Sequence, residues 1–63
     1  MIYMKKIMSE IELSQYRLAK TTSLNQARIS LILNDKTKPT DRERKILEGF
    51  FLMPTENLLQ EIE

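Results

Sequence analysis

The chain has 63 residues and contains neither cysteine nor histidine. Without cysteine, no disulfide reinforces a core that is necessarily small, and the composition fits an intracellular setting. Without either residue type, the ordinary ligands of a structural zinc site are missing. The same absences remove the common nucleophile–base pairs. No glycine-rich phosphate loop or carboxylate cluster stands in for them, so neither catalysis nor a cofactor is expected. Glycine occurs once, at position 49, and proline twice, at 39 and 54; no interdomain linker, repeat or low-complexity tract is visible. No apolar run approaches the roughly 20 residues of a membrane span. The opening MIYMKKIM is too short and too broken by lysine to serve as a signal peptide, and no membrane contact is expected.

What is present is a series of short amphipathic segments. Sixty-three residues make one domain at most, burying roughly 60% of the unfolded surface. Met4, Ile7, Met8 and Ile11 recur at i, i+3, i+4 and i+7, which predicts a first helix over residues 2–11. Ser14 suits the N-cap of a second helix beginning at Gln15, and Asn25 is a capping residue type at the start of a third. Asn34 to Pro39 form a polar loop, since Pro39 disfavours helix at Lys38. Thr40 with Glu43 three residues later is a capping box for a fourth helix. Its buried stripe is expected at Ile46, Leu47, Phe50 and Phe51. Pro54 ends that helix, and Thr55-Glu56 open a fifth with Leu58, Leu59 and Ile62 on its apolar side. The expected fold class is all-α, a compact bundle of five helices with short loops.

The stretch Gln15–Asn34, QYRLAKTTSLNQARISLILN, carries the functional reading. Two short amphipathic segments flank the turn Thr22-Ser23-Leu24, with apolar or small residues at Leu18, Ala19, Leu24, Ile29 and Ile32. Ala19 is small enough to let two helices cross closely. This spacing is the pattern of a helix-turn-helix, whose second helix enters the DNA major groove. Charge is distributed accordingly. Residues 1–38 carry a net +4 and residues 39–63 a net −3, within an overall +1. The positive part holds the helix-turn-helix and would face phosphate; charges on a small domain also segregate by chance, and the coincidence with the motif is what favours the functional account.

With those residues in view, the chain resembles the lambda-repressor-like helix-turn-helix family, the Cro and XRE-type regulators of bacteria and phages. The resemblance rests on Leu13-Ser14-Gln15, Leu18-Ala19, Ile29-Ser30, Ile32-Leu33-Asn34 and Lys38-Pro39. It continues through Lys45-Ile46-Leu47, Phe50-Phe51 and Glu56-Asn57-Leu58-Leu59, and so spans nearly the whole chain. One departure is Ser23, at the turn position where the family usually has glycine in a left-handed conformation.

The resemblance implies a DNA-binding function and a set of contacts. Asn25, Gln26, Ala27 and Leu31 of the third helix would face base edges. Gln26 is suited to bidentate pairing with adenine, and an outward Leu31 to a thymine methyl. Arg28, expected on the exposed side of that helix, has the chemistry either to read guanine or to clamp a phosphate. Gln15 would meet backbone phosphate at the positive end of the second helix, and Tyr16 and Arg17 beside it would each add a phosphate contact. Ser30, Asn34, Lys36, Thr37 and Lys38 complete the phosphate-binding expectation; an ordinary soluble loop would carry the same residue types. Lys5, Lys6 and Lys20 read as general electrostatics. Arg42, Arg44 and Lys45 alternate with Asp41, Glu43 and Glu48, as on a salt-bridged helix face.

A lone module of this size binds DNA weakly, so a homodimer on a palindromic double-stranded operator is expected. Phe50, Phe51, Leu52, Met53, Leu58, Leu59 and Ile62 exceed what a short tail needs, and either close the monomer core or supply the dimer contact. The expected function is a small Cro-type repressor acting in the cytoplasm on the nucleoid of a prokaryotic or phage-infected cell. The alternative is an antitoxin-like module that docks a protein partner and binds DNA as an accessory.

Overall fold

The computed structural model describes residues 1–62. Among them the chain forms five α-helices and no strand: α1 Tyr3–Glu10, α2 Gln15–Thr22, α3 Gln26–Leu33, α4 Asp41–Phe51 and α5 Thr55–Leu58. Polar caps start the three middle helices. The Ser14 hydroxyl accepts the Arg17 N–H and the Asn25 carboxamide oxygen accepts the Arg28 N–H, each at 3.1 Å. At Thr40 the full capping box forms, with Glu43 donating its N–H to the Thr40 hydroxyl at 3.2 Å and accepting the Thr40 N–H at 2.8 Å. Each satisfies donors that the first helical turn leaves without partners.

The helices enclose one core of Ile2, Met4, Met8, Leu18, Ala19, Leu24, Ile29, Ile32, Leu33, Leu47 and Leu58. α2 packs on α3 and α4, while α5 packs on α1 and α4. Ala19 is buried, as a close α2–α3 crossing requires. Burial of these side chains is the main favourable term, because helices of eight residues are too short to be stable alone. The Cα radius of gyration is 10.4 Å, against about 10.6 Å for a compact chain of this length.

Three expectations about the apolar stripes are corrected. Ile11 is 58% exposed, because α1 ends at Glu10 and the chain turns away before Ile11 can join the Met4–Met8 face. Phe50 lies at the surface, packed edge to face on half-buried Phe51 with ring centroids 4.9 Å apart. Ile62 lies beyond α5, which closes after one turn at Leu58. From there the chain is extended and pairs antiparallel with the N-terminal segment. The Tyr3 N–H donates to the Gln60 carbonyl at 2.9 Å and the Ile62 N–H to the Met1 carbonyl at 2.8 Å. No helix among the described residues is long and apolar enough to cross a membrane.

Candidate nucleic-acid interface

The turn between α2 and α3 is built by local chemistry. Ser23 takes the left-handed conformation, φ 62° and ψ 22°. Thr22 spans the turn: its hydroxyl donates to the Leu18 carbonyl at 2.6 Å and accepts the Leu24 N–H at 3.4 Å. Buried Leu24 then anchors the turn in the core. The start of α3 is thereby held by both a polar staple and an apolar one.

Along α3, Ile29, Ile32 and Leu33 face inward while Gln26, Ala27 and Leu31 are exposed, Leu31 to 42%. Residues 27 and 31 are four apart and so share one outer face, and Gln26 is exposed at the first position of the helix. Asn25 is exposed at its head, with its carboxamide oxygen occupied by the cap. Ser30 is half-buried.

Arg28 departs from the expectation of a free surface side chain. Its Nε donates to Glu43 Oε2 at 3.0 Å and its Nη2 to Glu43 Oε1 at 2.7 Å. Nη2 also reaches the Lys38 carbonyl at 3.3 Å. Glu43, in turn, is not part of the solvated charged face expected of α4. It is only 7% exposed, and the Arg28 hydrogen bonds, aided by those of Thr40, outweigh the opposing effect of burial and bring its pKa down to about 2. The same bonds raise the Arg28 pKa. The expected surface pairing on α4 is present between Arg44 and Asp41, at 3.6 Å.

After α3 the chain reverses at Asp35, φ 57°, with the Lys36 N–H on the Leu31 carbonyl at 2.9 Å. Asn34 is held at both ends of its amide: Nδ2 donates to the Ser30 carbonyl at 2.9 Å and Oδ1 accepts Lys5 Nζ at 3.3 Å. Lys36 and Lys38 are exposed, and Thr37 is half-buried. Lys5, read from the sequence only as background charge, therefore joins the loop. The signal for it was weak: its helix phase puts it beside buried Met4, but Asn34 is 29 residues away.

Gln15 is half-buried, and Tyr16 and Arg17 are exposed at the start of α2. Lys20 Nζ sits 5.3 Å from the Tyr16 ring centroid, within cation–π range. No side-chain hydrogen bond joins Gln15, Tyr16 or Arg17 to α3 or the loop among the described residues. The structure thus ties Lys5 to the 34–38 loop that follows α3, and packs α2, which carries Gln15, Tyr16 and Arg17, against α3.

The apolar residues near the C-terminus divide. Leu58 is fully buried and belongs to the monomer core, which corrects its assignment as a dimer contact. Phe51, Met53, Leu59 and Ile62 are half-buried. Leu52 is 86% exposed and lies at the left-handed C-cap of α4, two residues after surface-exposed Phe50. An open cleft nearby brings Lys38 and Arg44 together with Asp41 and Glu56, a balance of charge that selects no particular ion. Among the described residues, no group of three or more acidic side chains is placed to hold a metal ion.

Comparison of the chain with protein-family models, with curated proteins and with solved structures gives no match.

Proposed function

We propose that this protein is a sequence-specific double-stranded DNA-binding protein of the helix-turn-helix type, acting as a small repressor that occupies a palindromic operator. The observation that carries this reading is the outer surface of α3. Gln26, Ala27 and Leu31 are exposed on a helix whose other face is locked into the core, and a basic loop follows directly. Such a helix inserts side chains toward base edges, while Lys36, Lys38 and Lys5 neutralise phosphates beside it. Asn25 adds its free amide donors at the helix start, and Gln15, Tyr16 and Arg17 would bind the backbone from α2. Ser30, Asn34 and Thr37 offer short polar contacts. Binding of this kind requires no cofactor and works in the cytoplasm, on the nucleoid.

Two copies are needed for tight binding, since one module buries only roughly 600–1,000 Å² on DNA. The longest dimension of the fold is 29 Å. A two-fold dimer on a palindrome would need to present its two α3 helices about 34 Å, one duplex turn, apart. Leu52, with Phe50 two residues before it, supplies exposed apolar surface for the contact, flanked by the half-buried Phe51 and Met53; Ile62 is a second candidate. The same surface favours the second reading, an antitoxin-like module with a protein partner.

Selection of sites from a randomised duplex pool at physiological salt tests the proposal. A palindrome with half-sites about one turn apart supports the dimeric repressor. Folded protein that enriches no motif rejects it in favour of the protein-partner reading.

A further inference from the structure

The Arg28–Glu43 pair, which no sequence feature announces, bears on what α3 reads. We propose that Glu43 withholds Arg28 from DNA, so that Arg28 is a positioning residue that braces α3 against α4 and the 34–40 loop, and α3 reads A·T rather than G·C pairs. The inference rests on the DNA-binding reading above.

Three observations support it. First, the guanidinium is used on several sides: Nε and Nη2 serve the two Glu43 oxygens, and Nη2 also serves the Lys38 carbonyl. A forked arginine engaged this way lacks the pair of parallel donors that guanine O6 and N7 require. Second, Glu43 cannot readily release it. Its side chain is only 9% exposed and simultaneously caps α4, so departure of Arg28 would leave a carboxylate in a site with little water to replace the lost bonds. A guanine or phosphate would have to compete against that cost. Third, the pair spans three elements. It ties the first turn of α3 to the first turn of α4, and through the Lys38 carbonyl it holds the loop bearing Lys36 and Lys38. The geometry fixes the angle at which α3 is presented and the position of the adjacent cations.

With Arg28 engaged, the exposed α3 surface carries no cation. Its groups are the Gln26 amide, suited to adenine N6 and N7, and the methyl-bearing Ala27 and Leu31, suited to thymine C5-methyl. A half-site centred on A·T pairs follows from the side chains left free.

The experiment is site selection with the full chain as wild type, Arg28→Met and Arg28→Lys, combined with an NMR titration of the wild type using its selected duplex. Expected results are A·T pairs at the α3-contacted positions and the same base preference in all three proteins. Affinity of Arg28→Met should fall by a similar factor, about tenfold, on every sequence, and Arg28→Lys should recover part of it. In the wild type the Arg28 Nε–H resonance should keep its Glu43-bound position on DNA. Guanine at a core position whose preference disappears in Arg28→Met overturns the proposal while leaving DNA binding intact. So does displacement of the Arg28 resonance on titration, a readout that stands even where Arg28→Met fails to fold. A folded wild type that enriches no site rejects both this inference and the function on which it rests.

Discussion

Four residues with positive φ follow or end the first four helices: Glu12, Ser23, Asp35 and Leu52, none of them glycine. The one glycine lies inside α4, where its flexibility weakens the helix and a methyl group would meet nothing within 4 Å. Gly49→Ala is therefore expected to raise stability by about 1 kcal/mol in urea denaturation; a loss would mean that the position is packed. Leu52 shows the opposite mismatch, a bulky side chain held left-handed at 86% exposure with φ 56°. Leu52→Gly removes steric strain and little packing, and should stabilise the monomer by up to about 1 kcal/mol.

At the level of the elements, the start of α4 is the most consequential piece. Glu43 there completes the capping box and pairs with Arg28. Its carboxyl, near 4.5 when unperturbed, falls to about 2 in the folded chain. The folded state thus binds the proton less tightly than the unfolded one, and the stabilisation is complete above pH 4.5 and disappears as pH falls toward 2. Glu48, whose pKa is lowered by the Thr55 hydroxyl and then by its N–H, contributes with the same sign. Melting curves between pH 2 and pH 6 should show a shallower acid dependence for Glu43→Gln than for the wild type; equal slopes would mean that the pair does not contribute. On α3, Gln26→Ala is expected to cost about 1–3 kcal/mol of binding and to relax specificity at one base pair. An equal loss on all sequences would assign Gln26 to the backbone instead.

For the molecule as a whole, charges of opposite sign occupy different parts of the chain. The 34–38 loop and Lys5 present cations beside α3, whereas the acidic side chains concentrate after residue 39. Lys38→Ala should weaken binding uniformly and lower the magnitude of the salt slope, log affinity against log salt, by about one; an altered base preference would reject the phosphate role. The Leu52→Gly variant that stabilises the monomer should bind a full palindrome less tightly yet a single half-site as well as the wild type does, as measured by gel shift on the two duplexes. Undiminished binding to the palindrome would place the dimer contact elsewhere.

Helix positions, caps and the all-α class are legible in the chain because they depend on nearby residues. Ser14, Asn25 and the Thr40–Glu43 box act within one turn, and Met4–Met8 or Ile29–Ile32–Leu33 define inward faces by helical period alone. The left-handed turn at Ser23 was not legible from the residue type, since serine has no intrinsic preference for that conformation. Ile11 and Phe50 were misplaced because a periodic stripe does not say where a helix stops or what covers its edge. Pairing of residues 1–3 with 60–62, the reach of Lys5 to Asn34 and the burial of Leu58 all depend on segments far apart in sequence. The Arg28–Glu43 pair belongs with them: fifteen residues separate its members, and only the packing of α2 against both α3 and α4 brings the two helix starts within hydrogen-bond distance. Local sequence determined which helices form and where they begin, whereas tertiary structure decided which charged and apolar side chains remain available to a partner.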